Sequence, residues 1–507
     1  MLSTFCKNGC IPTRVNIAVA IFFGCFFNYM LRVNMSINII AMVQQKVSND
    51  SKTHIAECIL MNENKTTLLD ETKLTELSTP PDYGVRYEWN SNQQGLILAA
   101  YFWGAIITSI PGGFFAERFG PTKTVGISML ISGIVTILTP LAASWSWIAV
   151  IVFRFILGLN AGVGYPSFHS LISRWVPPDE KGKFAGALFG GTVGTVFTWP
   201  LTGSIIEQWG WKWAFCVQGI LALGFCCVWV FLVSDSPETH KRISKEEKNY
   251  ILKCLGGGVG KVKATPPYIS IFKSIPFWAL AVLHFGNLWG LYLLLTAGPK
   301  YMSEVLGFNL GHSGILAALP YLARSIAAFI FGYIGDKIRQ KNLLSVTATR
   351  KSFVTMSHFI PGLLLFGILL AGCDVTLCVI LITCSLGFNG ASTITNIQNN
   401  QDLSPNFAGT IYGIINCIGS TTGFFTPMIT GYLTAENNGL KEWHTIFAIG
   451  ASAYVGTGIV YCIFGTGDLQ PWNEIEEKPI DGVDNPAFVA TSSACEKTSN
   501  VTENTKV

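Results

Sequence analysis

The sequence is short of charge: Lys, Arg, Asp and Glu make up 13% of its 507 residues, against about 25% in soluble domains. Half of the residues are apolar and the mean hydropathy is +0.43. A chain this poor in charge is expected to be a polytopic membrane protein whose main partner is the lipid bilayer. The net charge of +4 leaves no basic footprint, so nucleic acid is excluded as a partner. Nucleophile–base pairs, metal-ligating clusters and phosphate-cradling glycine loops are missing too, so neither an enzyme nor a bound cofactor or metal is expected. The fourteen cysteines include no CxxC pair. Cys6 and Cys10 flank Lys-Asn-Gly; that spacing suits lipidation or a metal, or leaves two incidental thiols. A cleavable signal peptide is not evident, because the first apolar run is too long and polar residues punctuate it. It is expected to be a retained first span.

What the sequence does have is long apolar runs. About 20 apolar residues cross a bilayer, and runs of that kind lie at 15–43, 94–116, 124–143, 147–172, 184–206, 212–233, 275–299, 312–335, 352–371, 375–397, 407–432 and 443–465. These predict an all-α membrane protein of twelve transmembrane helices. The expected organisation is a cytosolic N-terminus (1–14), a first six-helix half (15–233), a central loop (234–274), a second half (275–465) and a disordered tail (466–507). Lys and Arg set the orientation. The central segment carries Lys241, Arg242, Lys245, Lys248, Lys253, Lys261 and Lys263, whereas 44–93 is acidic on balance. The central segment and both termini are therefore expected in the cytosol, and 44–93 outside it or in a lumen. The sequons at Asn49 and Asn64 fall on that outer side, where glycosylation occurs.

The chain also repeats. After the second span stands GGFFAERFG, with Gly113, Glu117 and Gly120; after the eighth stands FGYIGDKIR, with Gly332, Asp336 and Arg339. Matching positions point to a six-plus-six duplication. Each acid is expected to cap a helix N-terminus and to pair with nearby basic residues while the cytosolic side is shut. The segments read as gating loops.

Acids are missing altogether from the apolar cores, yet arginines are present. A charge in hydrocarbon is costly and normally faces a cavity or a partner. On a helix Asn28, Tyr29, Arg32 and Ser36 share one arc, with Asn34 and Asn38 opposite. In span four Arg154, Gly158, Ala161, Tyr165 and His169 share another. Counting back from the outer ends, Arg32 lies ~18 Å deep and Arg154 ~12 Å, at about 1.5 Å per residue. Two arginines without carboxylates suit an anion, since a guanidinium binds carboxylate or phosphate oxygens bidentately. Bonding to backbone carbonyls is the competing explanation. Arg324, in LPYLARSIAAF of span eight, either extends the anion path or anchors locally. His284 and Asn287 in span seven, Asn389, Ser392, Thr393 and Asn396 in span ten, and Tyr412 and Asn416 in span eleven form further polar stripes. They bind substrate or a small cation, or they hydrogen-bond helices together.

RVNMSINIIAM in span one, YFWGAIITSIPGGFFAERFG in span two, RFILGLNAGVGYPSFHSLISRWVPPDEKGK around span four, DLSPNFAGTIYGIIN and GDLQPWN carry a resemblance over residues 15 to 475. The sequence resembles the anion–cation symporter branch of the major facilitator superfamily, which holds sodium–phosphate cotransporters, sialin and vesicular glutamate transporters. In look it is nearest the invertebrate inorganic phosphate cotransporters. The resemblance implies two six-helix halves around a central cavity and secondary transport of small anions by alternating access. It matches Arg32 and Arg154 to the branch's arginines of spans one and four. A substrate site of Arg32, Arg154, Tyr29, Asn28, Tyr165, Asn287 and Asn416 is expected, with His284, Asn389, Thr393 and Asn396 as candidates for coupling a cation. Three positions depart from the branch: Ala161 replaces a span-four Glu, Asn287 a span-seven arginine, and Leu98 a span-two histidine. The first disfavours carboxylate-based proton coupling and the others disfavour vesicular glutamate transport. The expectation is sodium-coupled inorganic phosphate cotransport in the plasma membrane. Its rivals are a proton-coupled carrier of organic anions (acidic sugars or carboxylates) in an endosomal or lysosomal membrane, and a non-transporting receptor.

Overall fold

A chain in hydrocarbon must satisfy its backbone polar groups within each segment, and a helix does so for every residue between its ends. The computed structural model describes residues 12–44, 57–58, 82–109, 111–177, 184, 186–254 and 266–474. Among these there is no strand beyond a single bridge between Val43 and Tyr87. Cys6, Cys10, the sequons at Asn49 and Asn64, and most of the tail lie outside the described residues.

Twelve helical spans run in chain order. Span one is Thr13–Val33 with Met35–Met42, and span two is Ser91–Ser109 with Pro111–Phe119, bent by 58° between its pieces. Pro121–Trp145 forms span three, Trp147–Gly162 with Gly164–Trp175 span four, Gly190–Trp209 span five and Trp211–Leu232 span six. Ile275–Glu304 is span seven and Leu310–Gln340 span eight. Span nine passes from Val346–Val354 through a π-helical turn, Thr355–Phe359, to Ile360–Ala371; span ten runs from Val375–Asn389 through a second, Thr393–Ile397, to Gln398–Leu403. Ala408–Ser420 with Thr422–Leu433 makes span eleven and Leu440–Phe464 span twelve. The short helices Lys245–Cys254 and Tyr268–Lys273 lie in the central segment.

Most spans match their apolar runs closely, but spans seven to ten continue as helix through polar residues beyond the run. Side-chain caps mark several starts: Ser146, Ser345 and Asp374 accept from the backbone N–H groups of Ala149, Ala348 and Leu377. Spans two and four approach backbone to backbone, because Gly104 faces the Phe155 carbonyl and Gly158 that of Tyr101. Small residues permit such contact between helices in lipid.

The two halves meet mainly towards the face that carries residues 44–93. There Gly95 lies against Pro427 and Gly431, and Phe102 against Gly423. The Trp199 and Tyr321 rings are 5.0 Å apart, Gly311 N–H donates to Glu207 (2.8 Å), and Lys300 Nζ donates to Gln94 Oε1 (3.1 Å). Spans four and ten make no comparable contact across the halves among the described residues. The cavity between the halves is thus closed towards the 44–93 face.

That face also carries a disulfide that no local cysteine spacing signals. Cys58 is bonded to Cys373, 315 residues on, between spans nine and ten. The neighbouring Glu57 caps span twelve, accepting from Leu440 N–H at 2.7 Å. A two-residue piece of the first half's loop is therefore held on the second half.

At the opposite face the capping part of the gating-loop expectation needs correcting, whereas the pairing expected of a shut face belongs to a state other than this one, which is closed towards residues 44–93. Glu117 and Asp336 are exposed and neither makes an ion pair among the described residues. Asp336 lies in the last turns of span eight and caps nothing. The acid that meets the start of span three is Asp235, which accepts from Thr122 N–H at 2.8 Å and packs on Gly120, whose φ is +89°. Glycine suits Gly120 because that φ is strained for any other residue. Gly113 and Gly332 have open space where a Cβ would go. Asp468 repeats Asp235's position in the second half: it follows span twelve and accepts from Thr347 Oγ1 (3.3 Å) at the start of span nine. Arg339 reaches Asp402 at 4.0 Å, although Asp402 is held more closely by Arg350 at 2.6 Å.

Candidate anion site

Span one breaks at Asn34, and its geometry follows from that break. A helix interrupted in the membrane leaves carbonyls that neighbours must satisfy. Arg154 donates from Nη2 to the Arg32 carbonyl (3.1 Å) and from Nη1 to that of Leu31 (3.5 Å). Trp199 Nε1 donates to the Val33 carbonyl (3.3 Å) and to Ser36 Oγ (3.0 Å), and Ser36 itself donates to Val33 (2.7 Å). Of the two sequence explanations for Arg154, backbone anchoring is therefore the one the structure displays.

Arg32 differs. Its Nε and Nη2 are buried and have no hydrogen-bond partner among the described residues. Four rings surround the guanidinium instead: Tyr29, Tyr101, Phe102 and Tyr292, at 5.0, 5.4, 4.8 and 4.8 Å from Cζ. Aromatic faces attract a cation but accept few hydrogen bonds, and each donor left bare costs roughly 1–3 kcal/mol. Arg154 shares the Tyr101 ring at 5.1 Å. Arg32, Ser36, Leu98, Phe102, Arg154 and Thr296 line one narrow cleft. No carboxylate pairs with either arginine among the described residues.

The stripes of spans one and four do face each other. The Tyr29 and Tyr165 rings meet edge to face at 6.2 Å, and Asn28 lies beside Gly164. His169, by contrast, is exposed. Tyr101, Phe102 and Tyr292 were not picked out in the sequence, where aromatics inside an apolar run look the same whether they pack on lipid or on a cation.

In the second half the polar stripes bond to one another. Arg324 Nε donates to Asn389 Oδ1 (3.1 Å) and Nη2 to Ser392 Oγ (3.5 Å). Asn389 Nδ2 donates in turn to Asn287 Oδ1 (2.8 Å) and to the Ser357 carbonyl (3.0 Å). His284 lies between Asn416 and Asn396, at 3.4 Å from each. Asn287, Asn389, Asn396 and Asn416 thus join helices, while Thr393 donates locally to the Gly390 carbonyl at 3.1 Å and enters no network. The two π-helical turns border this cluster, and such turns recur at functional sites.

The Major Facilitator Superfamily sequence profile matches residues 18–427. The chain belongs to that superfamily. Among its relatives is sialin of Ovis aries, 35% identical over 464 residues and 91% of each chain. A Drosophila melanogaster protein named "Putative inorganic phosphate cotransporter" is 32% identical over 495 residues, 95% of this chain and 89% of that one. A bacterial homologue of the human lysosomal transporter Spinster, solved in an inward-facing and occupied state, shares the superfamily fold. Its TM-score is 0.61 at 15% identity, over 90% of this chain and 96% of that one. The chain is therefore a membrane transporter of this superfamily, in the branch of sialin and the phosphate cotransporters, and not an enzyme.

Proposed function

We propose that this transporter carries a small anion by alternating access, taking it on Arg32. The bare Nε and Nη2 edge of Arg32, buried among rings without a carboxylate, carries the reading. An anion accepted there replaces two missing hydrogen bonds with charge-assisted ones, each worth about 1.5–3 kcal/mol. Arg154 supports the site by fixing the broken turn that presents Arg32. Ala161 and the lack of acids near the arginines among the described residues support sodium over a carboxylate-borne proton, and with it inorganic phosphate as cargo. A proton-coupled organic anion is the second reading, favoured by a further span arginine, Arg324, that has no carboxylate partner among the described residues.

The Cys58–Cys373 bond supports placing the 44–93 face outside the cytosol, in the extracellular space or a lumen, since disulfides persist in oxidising compartments. The central segment and both termini are then cytosolic. Uptake of radiolabelled phosphate into proteoliposomes with an imposed sodium or proton gradient tests the reading. Accumulation driven by sodium alone supports it. Accumulation driven by protons alone transfers the assignment to the second reading, and saturable binding without flux with either gradient overturns transport.

A further inference from the structure

The burial pattern of span twelve shows which way it faces. Trp443, Phe447 and Tyr454 are buried inside the bundle, whereas Lys441, Thr445, Ser452, Gly456 and Ile459 form an exposed stripe at helical spacing. On a helix that crosses a bilayer, such an exposed stripe faces lipid. Span nine packs beside span twelve, with Gly362 against the Ala451 carbonyl, and its Leu363 and Leu370 are also exposed, at 64% and 91%.

At the end of this stripe nearest residues 44–93 lies a cavity of about 540 Å³. Among the described residues it is lined by Glu57, Leu369, Lys441, His444, Thr445 and Ala448. The lining is graded from polar to apolar. Lys441 stands in the first turn of span twelve, at the membrane surface, and Ala448 lies ~12 Å further along the helix at about 1.5 Å per residue. Leu369 and Ala448 make the apolar end. Lys441 forms no ion pair among the described residues. His444 Nε2 is buried and has no hydrogen-bond partner among them. The Glu57 carboxylate is fixed, since it accepts from Leu440 N–H at 2.7 Å. Its neighbour Cys58 is bonded to Cys373 and donates to the Val305 carbonyl at 3.3 Å. A fixed acid and an unpaired base thus meet above an apolar end, on the side that faces lipid.

We infer that this cavity binds the head group of an ethanolamine-type phospholipid from the leaflet on the 44–93 side. The phosphodiester meets Lys441 and the His444 N–H, and the primary ammonium donates to Glu57. The acyl chains then run over Leu369 and Ala448 and along the exposed stripe. A choline head group fits less well: a quaternary ammonium donates no hydrogen bond and is held by aromatic faces, and no Phe, Tyr or Trp is among the described lining residues. A glycerol head group leaves a net negative charge beside Glu57 with no ammonium to meet it. The site is apart from Arg32 and is independent of which anion is carried.

Lipid competition tests this. Purified full-length protein, stripped of lipid in detergent, is titrated with phosphatidylethanolamine, phosphatidylcholine and phosphatidylglycerol of identical acyl chains, and retained lipid is read by native mass spectrometry. The expected result is that phosphatidylethanolamine binds about threefold to tenfold tighter than the other two, the range of one charge-assisted bond at a partly exposed site. Glu57→Gln, which keeps an acceptor for Leu440 N–H, should erase the preference over phosphatidylglycerol while lipid still binds. Lys441→Gln, at an exposed position, should weaken all three lipids by a similar factor. Replacing Cys58 and Cys373 together by Ser, which frees Glu57, should act as Glu57→Gln does. Equal retention of the three lipids by the wild type, or a preference that survives both Glu57→Gln and Lys441→Gln, overturns the inference. Displacement of the lipid by water-soluble glycerophosphoethanolamine at equal concentration would make the ligand a soluble phosphate ester and overturn the lipid assignment.

Discussion

Arg32 and Arg324 are both guanidiniums placed within spans, and neither has a carboxylate partner among the described residues, yet their neighbours differ in kind. Around Arg324 the second half offers amides and a hydroxyl, and the network of Asn389, Asn287, Ser392 and Ser357 fixes one edge. Around Arg32 the first half offers rings, and two buried donors stay bare. A buried cation with satisfied donors is a stable element of a scaffold. One with bare donors is held at a cost, which the surrounding fold must cover. The difference places the larger gain from an incoming anion at Arg32.

The sharpest way to break this comparison is to remove Arg32. Arg32→Ala should lower affinity for the transported anion by about 100-fold or more, since two charge-assisted bonds go together. Arg32→Lys keeps charge but loses the fork, and should still cost at least about tenfold. Equilibrium binding at matched surface expression measures both. Near-normal affinity in Arg32→Ala would mean that its bare edge is incidental.

Arg154 divides the first half's own pair. Its bonds go to the Leu31 and Arg32 carbonyls at the break in span one. Arg154→Met should therefore show first as a loss of stability, on the order of 2–4 kcal/mol for two buried carbonyls stripped of a charged donor. A lowered Tm in detergent, partly restored by bound anion, is the expected signature. Unchanged Tm with abolished binding would instead move Arg154 into direct contact with the substrate.

These two arginines also show where sequence reading stops. Twelve spans were legible because bilayer thickness fixes the length of an apolar run. The run edges at spans seven to ten fell short because hydropathy ends where polar residues begin, while the helix continues to Gln340 and Leu403. The pairing of the stripes of spans one and four was legible from helical periodicity. The break at Asn34 was not, because neither Gly nor Pro marks it, and so the engagement of Arg154 with freed carbonyls stayed hidden. Cys58–Cys373 was hidden for another reason: a bond across 315 residues leaves no local spacing to read. Asp235 was overlooked as the cap because Glu117 stood nearer in sequence, whereas the contact to Thr122 spans 113 residues.

The loop acids extend the contrast from binding to switching. Glu117 and Asp336 are exposed in a structure closed towards the other face. If they pair when the 234–274 face shuts, removing them shifts a population without touching the anion. Glu117→Ala or Asp336→Ala should slow turnover by about tenfold, the effect of roughly 1.4 kcal/mol on that equilibrium, with equilibrium anion affinity nearly unchanged. Uptake kinetics beside binding isotherms would separate the two, and an equal loss in both would place these acids in the site.

The smallest expected effect concerns coupling. Ala161 is buried on span four, seven residues beyond Arg154 and so ~10 Å along the helix. Ala161→Glu places a carboxyl in the field of Arg154 and Arg32, where its ionised form competes with the anion. At ~10 Å and an effective dielectric of about 30 the competition is roughly 1 kcal/mol, about fivefold in affinity. The sign follows from protonation: below the introduced carboxyl's pKa the group is neutral and uptake resembles the parent; above it uptake falls. The parent, with no acid near the arginines, should vary with pH only through ionisation of the substrate. Uptake from pH 5 to pH 8 in both proteins, at fixed sodium, checks this. A parent profile that already falls with rising pH would mean that a proton carrier is present without the carboxylate, and His284, between Asn396 and Asn416, would be the residue to replace next.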